Sequence, residues 1–95
     1  MNDQVLEEGV SKELLFTDFR AILVECAGDE EDTQLTEAVL DVPFTDLGYD
    51  SLAVLETAAA VGQRYDVVLR DEDVAEAVTP RAFLLLVNHA LSTAA

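Results

Sequence analysis

The sequence is poor in cysteine, tryptophan, other aromatic residues and basic residues, and each shortage narrows what the protein can be. Cys26 is the single cysteine, so an internal disulfide is excluded and nothing indicates an oxidising compartment. Tryptophan is absent and aromatic residues make up 6% of the chain, whereas hydrophobic residues make up 51%. The core must therefore be mainly aliphatic, and this composition suits packed helices better than a β-sheet.

Basic residues are also scarce, because 5 Lys and Arg stand against 20 Asp and Glu, for a formal net charge of -15. Nucleic acid and anionic membrane surfaces both require basic contacts, so we expect neither as a partner. A protein partner with a basic docking patch is favoured, since opposite charges speed association. The simpler alternative is that the acidity only maintains solubility, and composition does not separate the two.

The length and the absence of long hydrophobic runs predict one soluble domain. A chain of 95 residues has room for one core. Residues 1–10 lack the basic start and apolar run of a signal peptide, and the longest strongly apolar stretch, residues 82–87, is too short to span a bilayer. We therefore expect a cytoplasmic monomer.

Hydrophobic periodicity predicts an all-α fold with three main helices, one short helix and a long loop between the first two. The first helix is predicted to begin at Ser11 or Thr17, with Thr17 as a possible cap, and to end at Gly28. Its predicted apolar face consists of Leu15, Phe19, Ile22, Leu23 and Cys26. The loop is expected to be tied to the core by apolar anchors, with a helical turn near residues 36–40. These anchors are Leu35, Val39, Leu40, Val42, Phe44 and Leu47.

Three further helices are predicted after this loop. The second begins at Asp50-Ser51, and its expected buried face consists of Leu52, Leu55, Ala58, Ala59, Gly62 and Tyr65. The short third helix is expected within residues 71–78, with Val74 and Val78 pointing inward. The last begins with Thr79 as its cap and Pro80 at its first position.

The candidate functional residue is Ser51, at the predicted start of the second helix. A hydroxyl there is displayed on a rigid backbone, and the N–H groups of a helix start favour a nearby anion such as a phosphodiester. Gly48 would allow another enzyme to approach closely. The simpler alternative is that Asp50 and Ser51 are only a helix cap.

Residues 46–52, read as Asp-Leu-Gly-Tyr-Asp-Ser-Leu, resemble the attachment motif of acyl carrier proteins, which carry a phosphopantetheine arm on that serine. Residues 23–28, 48–53, 56–59 and 79–88 are similar to the carriers of type II (aromatic) polyketide synthases. The resemblance covers about residues 15–92. It implies a carrier bundle of right-handed type over residues 11–92, between flexible termini at 1–10 and 93–95. Residues 68–71 lack a proline common in such carriers, and Gly62 replaces a longer side chain.

The resemblance also implies the chemistry and the partners. A phosphopantetheinyl transferase, with Mg²⁺ and coenzyme A, would attach 4'-phosphopantetheine to Ser51, flanked by Asp50 and Leu52. The arm would hold malonyl units and growing polyketides as thioesters. Expected partners are a ketosynthase/chain-length factor, a malonyl transferase and a ketoreductase or cyclase. The chain shows no Ser–His–acid pattern near Ser51, so we expect a carrier and not an enzyme.

Acidic residues around Ser51 are predicted to dock on basic patches of the partners, with an ordinary solvated face as the alternative. The candidates are Asp46, Glu56, Glu72, Asp73 and Glu76. The resemblance further implies that Arg81 and Asn88 touch the bound polyketide, although Arg81 could simply be a solvent-exposed residue of the first helical turn. Leu52, Val74 and the loop anchors either line a shallow acyl cleft or belong to the core.

Other interpretations remain open from the sequence. A peptidyl, aryl or fatty-acid carrier would share the fold and the serine but differ in cargo. An acidic helical interaction domain without covalent chemistry would explain the charge and the helices. Cys26 is expected to be an inert buried thiol and His89 a surface residue, and no metal site is predicted.

Overall fold

The structure, a computed structural model, describes residues 13–27 and 35–93. These residues form four α-helices, with no strand among them. The helices are α1 Phe16–Ala27, α2 Ser51–Tyr65, α3 Asp71–Glu76 and α4 Pro80–Thr93. Two 3₁₀ helices, Glu37–Val39 and Phe44–Leu47, lie in the connection between α1 and α2. The predicted all-α fold with one short helix is confirmed, and none of these helices is long and apolar enough to cross a membrane.

Helix α1 buries Phe19, Ile22 and Leu23 of its predicted apolar face, whereas Leu15, also predicted on that face, is exposed. Its start differs from the prediction. The helix begins at Phe16 and the amide of Phe19 donates to the carbonyl of Leu15 at 2.9 Å, so Thr17 lies inside the first turn and is not the cap. Leu14 is 1% exposed whereas Leu15 is 53% exposed, because the chain ahead of the helix directs Leu14 into the core. The predicted end at Gly28 lies outside the described residues.

Phenylalanine rings join three elements at the centre of the core. Phe19 of α1 lies 5.1 Å from Phe83 of α4 and 6.2 Å from Phe44 of the second 3₁₀ helix, measured between ring centroids. Phe44 and Phe83 meet edge to face at 6.3 Å. Such aromatic pairs stabilise a fold by more than the burial of their surface alone. The loop between α1 and α2 is therefore fixed to both α1 and α4 through Phe44.

The connection before α2 is anchored as predicted. Leu35 and Phe44 are buried, and the guanidinium of Arg20 in α1 donates to the carbonyl of Leu35 at 3.0 Å. The helical turn expected near residues 36–40 is present as the first 3₁₀ helix, with the hydroxyl of Thr36 accepting from the amide of Ala38. Residues 35–50 of the connection are thus a structured part of the bundle.

The buried face of α2 is rotated from the predicted one. The buried residues are Val54, Thr57, Ala58 and Val61, whereas Leu52 is 62% exposed and Ala59 is exposed. Thr57, a polar residue, is part of this buried face. Its hydroxyl donates to the carbonyl of Ala53 at 2.8 Å, and a threonine satisfied by its own helix can be buried.

Gly62 lies in close contact with the backbone of the segment that follows α2. A Cβ at this position would lie 2.8 Å from the carbonyl oxygen of Val67. The chain reverses at Asp66, whose φ of 56° is left-handed, and the amide of Val67 donates to the carbonyl of Gly62 at 3.0 Å. The connection to α3 therefore folds back against the end of α2.

Helices α3 and α4 follow the predicted order, with one correction. Val74 is 2% exposed, as expected, but Val78 is 56% exposed and does not point inward. Helix α3 ends at Glu76, so the buried position passes to Ala77. The hydroxyl of Thr79 accepts from the amide of Ala82 at 3.1 Å, which confirms the predicted cap of α4.

The predicted domain limits stay a prediction. Residues 1–12 and 94–95, which include most of both predicted flexible termini, lie outside the described residues. Helix α4 includes Thr93, the first residue of the predicted C-terminal segment, so the described helix runs one residue beyond the expected carrier domain.

Candidate functional site

Ser51 is the first residue of α2 and is exposed. Two turns of backbone place it there. Gly48 ends the preceding 3₁₀ helix at φ 94°, a left-handed conformation that favours glycine. Asp50 is the N-cap, and its carboxylate accepts from the amide of Ala53 at 2.9 Å. Asp50 therefore provides the cap, and the hydroxyl of Ser51 lies at the N-terminus of the helix. The capping interpretation applies to Asp50 and not to Ser51.

A cavity of about 250 Å³ opens beside Ser51, between the loop, α2 and the α3 region. Its walls are mainly apolar. They include Pro43, Phe44, Tyr49, Val54, Leu55, Val74, Ala75, Ala77 and Val78, together with Thr45, Asp50 and Ser51 at the same opening. The predicted cleft therefore exists and Val74 lines it, but Leu52 is not among the described residues that do.

Leu52 and Glu56 instead belong to an exposed stripe on α2. Leu52, Glu56, Ala59 and Gln63 follow one another at three- and four-residue steps, and all four are exposed. The stripe begins at Leu52, directly after Ser51. It therefore places an apolar group beside the serine and an acidic group about one turn further along the helix. Asp46 is exposed on the second 3₁₀ helix, just ahead of this region.

The acidic residues predicted on α3 are present but are partly paired within the chain. Glu72 and Glu76 are exposed and Asp73 is half-buried. Arg70, immediately before α3, forms ion pairs with Glu72 and, at 3.9 Å, with Asp73. Arg70 is the N-cap of α3 and makes no side-chain cap hydrogen bond, and its guanidinium contacts the acids of the first turn.

Arg81, predicted to touch the acyl chain, forms a bidentate pair with Asp41. Its Nε lies 2.7 Å from Oδ1 and its Nη2 3.2 Å from Oδ2 of that carboxylate. The hydrogen bond from Arg81, with its charge, lowers the pKa of Asp41 below its ordinary value, and Asp41 raises the pKa of Arg81. Arg81 is not among the described residues that line the cavity.

Asn88, the other predicted acyl contact, is bound to the chain ahead of α1. Its Oδ1 accepts from the amide of Leu14 at 2.7 Å, and its Nδ2 donates to the carbonyl of the same residue at 3.1 Å. Both polar atoms of the amide are therefore used, and Asn88 does not appear among the described cavity-lining residues. The structure gives Asn88 the task of fixing Leu14 in the core.

Two residues with reactive side chains lie away from the site. Cys26 is half-buried, and its thiol donates to the backbone carbonyl of Glu56 at 3.7 Å, so it is less buried than predicted. His89 is exposed on α4, as predicted. Within residues 13–27 and 35–93, no group of three or more His, Cys, Asp or Glu side chains could hold a metal ion.

Sequence reasoning missed several residues of the site. Tyr49 is 4% exposed and lines the cavity, although it lies only two residues before Ser51. Its place between Gly48 and the Asp50-Ser51 helix start, inside the attachment motif, could have indicated it. Asp41 gave no local signal, because its partner Arg81 is 40 residues away.

A helical domain that exposes a serine at a helix N-terminus, beside an apolar cavity, has the architecture of a carrier domain. Comparison with known proteins agrees, since residues 21–87 match the family model described as "Phosphopantetheine attachment site". The site fits the group: Ser51 is an exposed hydroxyl at the N-terminus of a 15-residue helix, where a phosphodiester is favoured.

The relatives identify the kind of carrier. The chain is 49% identical to the actinorhodin polyketide synthase acyl carrier protein of Streptomyces coelicolor, over 82% of this chain and 91% of the relative. It is 44% identical to the oxytetracycline polyketide synthase acyl carrier protein of Streptomyces rimosus, over 85% of each chain. The solved structure of the actinorhodin holo acyl carrier protein from S. coelicolor superposes with a TM-score of 0.78 at 46% identity, covering 87% of this chain and 96% of that one.

The chain therefore belongs to the acyl carrier proteins of type II polyketide synthases. Its cofactor is covalently attached 4'-phosphopantetheine, and it is a carrier subunit and not an enzyme, which confirms the predictions from the sequence. As a synthase carrier it works with synthase components.

Proposed function

We propose that Ser51 is the residue that carries the arm, and that the chain presents malonyl units and polyketide intermediates as thioesters. One observation carries this proposal: Ser51 is exposed at the first position of α2, inside the matched attachment region and at the opening of the cavity. When attached, the arm supplies a terminal thiol that holds the acyl group. The chain itself supplies the hydroxyl and the helix that presents it.

The attachment step asks little of this chain. The hydroxyl oxygen of Ser51 attacks the phosphorus of coenzyme A that bears the pantetheine, and its proton goes to a base of the transferase. The P–O bond of the pyrophosphate breaks, and 3',5'-ADP leaves. The dipole of α2 then favours the negative phosphodiester at its N-terminus. Asp50 is already bonded to the amide of Ala53, so its role is to hold the first turn of the helix.

We further propose that the exposed stripe on α2 is the docking surface for partner enzymes, with Asp46 and the α3 acids at its edge. Leu52 offers an apolar contact of 62% exposure beside Ser51, and Glu56 offers a charge one turn later. The net charge of -15 would steer this surface toward basic patches. The candidate partners are the transferase, a ketosynthase/chain-length factor, a malonyl transferase and a ketoreductase or cyclase, in a cytoplasmic setting.

The cavity beside Ser51 is proposed as the seat of the acyl chain. A cavity of about 250 Å³ has room for part of such a chain, and its walls are mainly apolar. Its position at the attachment residue supports this use. The predicted direct contacts of the acyl chain with Arg81 and Asn88 are not included, because both side chains have other partners.

The attachment proposal is tested by intact mass after incubation with coenzyme A, Mg²⁺ and a broad-specificity phosphopantetheinyl transferase. We expect one added arm on the wild type and on Ser92→Ala, an exposed serine of α4, and none on Ser51→Ala. An arm that persists on Ser51→Ala would refute the assignment of the residue. No added mass on any folded sample would contradict the attachment proposal as a whole.

The docking proposal is tested by charge reversal. Glu56→Arg should slow arm transfer by several-fold to about tenfold at low salt, since the charge steers encounter. Glu13→Arg, which reverses an exposed acid ahead of α1, is the matched control and should change little. Equal rates for the two variants at low salt would exclude Glu56 from the docking surface.

A further inference from the structure

The loop before α2 is joined to the start of α4 by a side-chain pair with two parallel hydrogen bonds. The guanidinium of Arg81 meets both carboxylate oxygens of Asp41, at 2.7 and 3.2 Å. Bidentate pairing of this kind requires the planar fork of arginine, which lysine does not offer. The two residues are 40 positions apart, so the pair fixes one part of the fold to another.

Two backbone hydrogen bonds reinforce the same junction. The amide of Arg81 donates to the carbonyl of Leu40 at 2.8 Å, and the amide of Phe44 donates to the carbonyl of Val78 at 2.8 Å. Residues 40–44 are thus held against residues 78–81 at both ends.

This junction forms one wall of the cavity beside Ser51. Pro43 and Phe44 line the cavity from the loop, and Val78 lines it from the segment before α4. The position of this wall therefore depends on the junction. Arg81 and Asp41 lie just behind this wall in the chain, and neither is among the described residues that line the cavity.

We propose that Arg81 and Asp41 are positioning residues whose ion pair, called the strap below, holds the loop wall of the cavity in place. Arg81 then acts on the acyl chain through Asp41. The inference rests on the proposed use of the cavity as the acyl seat. It replaces direct contact between Arg81 and the cargo with control of the cavity's shape. The pair is exposed, with side-chain exposures of 54% and 72%, so its effect is local rather than global.

The test uses the full chain, unloaded and loaded at Ser51 from octanoyl-coenzyme A. Wild type is compared with Arg81→Gln, Asp41→Ala and the charge-swapped Asp41→Arg/Arg81→Asp. Hydrogen exchange of the Phe44 amide is measured in the unloaded protein and reports the junction. The change in the methyl NMR signals of Val74 on loading reports entry of the acyl chain into the cavity.

Both single variants should speed exchange of the Phe44 amide by roughly twofold to fivefold, the range that an exposed ion pair supports. Both should alter the Val74 signal change on loading to a similar extent, because they break the same strap. The charge-swapped variant should restore both quantities toward wild type, which a role confined to either side chain alone would not produce. The control Arg64→Gln, which breaks an exposed pair with Glu25, should leave both unchanged.

Three results would overturn the inference. A loading response altered by Arg81→Gln but not by Asp41→Ala would show that Arg81 contacts the acyl chain directly. Unchanged exchange at Phe44 in both single variants would show that the pair does not hold the loop. A wild type whose Val74 signals ignore loading would refute the acyl seat and, with it, any action on cargo, whereas the exchange measurement would still decide whether the strap exists.

Discussion

The two sides of this bundle differ in how completely they are filled. On the side of α1 and α4, Phe19, Phe83 and Val87 are fully buried, and the phenylalanine rings lie in contact distance of one another. On the side of Ser51, the wall elements are the short helix α3, a loop with two 3₁₀ helices and a cavity of about 250 Å³.

This difference means that the residues that stabilise the fold are largely separate from the residues around the attachment serine. A dense aromatic and aliphatic region can hold a 95-residue fold together without using the surface around the serine. The site side then keeps an apolar opening that would be costly in a core, since its lining atoms lack partners on one face. Phe44 belongs to both sides, because its ring contacts Phe19 and Phe83 and also lines the cavity.

The same truncation on the two sides gives the largest expected contrast. Val87→Ala removes methyl groups from a fully packed position and should lower the free energy of unfolding by about 2 to 3 kcal/mol. Val74→Ala removes the same groups at 2% exposure but next to the cavity, and should cost about 1 kcal/mol. Urea unfolding of both variants measures the difference.

The conservative variants Val87→Ile and Val74→Ile serve as controls for this pair. The larger side chain should be tolerated at Val74, where the cavity offers space, and should strain the packing at Val87. If both truncations cost the same and both enlargements strain the fold, the two sides are equally dense and the comparison fails.

Gly62→Ala tests how the segment leading to α3 is fixed to α2. In an ordinary helix interior this change would stabilise the protein by up to about 1 kcal/mol. Here the new Cβ would lie 2.8 Å from the carbonyl oxygen of Val67, and overpacking typically costs about 1 to 3 kcal/mol. We expect net destabilisation of about 1 kcal/mol in thermal or urea unfolding.

Ala59→Gly, the reverse change at an exposed position of the same helix, is the matched control for Gly62. It should cost about 1 kcal/mol through helix propensity alone. A stabilised Gly62→Ala would mean that the chain after α2 yields to the methyl group, so that the path toward α3 is adaptable.

Loss of either helix cap should lower the stability of the protein equally, but only one of the two losses should affect arm transfer. Asp50 caps α2 on the site side and Thr79 caps α4. Alanine at either position should cost about 1 kcal/mol. Only Asp50→Ala should also slow arm transfer to Ser51, because it loosens the turn that presents the serine. Unfolding curves and transfer rates of both variants, measured side by side, test this, and equal slowing of transfer would contradict it.

The features predicted correctly from the sequence depend on residues close in the chain. The cap and proline at the start of α4, the turn at residues 36–40 and the placement of Ser51 at a helix start all depend on neighbours within a few positions. Local backbone chemistry decides such features, so a single sequence is enough to place them.

The features predicted wrongly or missed depend on tertiary contacts. Nothing local distinguishes Leu14 from Leu15, and the choice is made by Asn88, 74 residues later. Thr57 appears polar in a sequence, and only its bond to the carbonyl of Ala53 makes it a core residue. The pairing of Arg81 with Asp41 was missed, because the two residues come together only when the loop and α4 pack against each other.

The smallest expected effect concerns the charge of Asp41 at the junction of the two sides. Its pKa is lowered by the hydrogen bond and charge of Arg81, so pairing contributes stability that is present above its ordinary pKa of 3.8 and is lost as the pH falls through the lowered folded value. An NMR titration of the Asp41 carboxyl should give a midpoint below 3.8 in the wild type and a return toward 3.8 in Arg81→Gln. Arg64→Gln should leave this titration unchanged. An identical midpoint for wild type and Arg81→Gln would mean that the pair does not persist in solution, and the loop wall of the cavity would then be held by its backbone bonds alone.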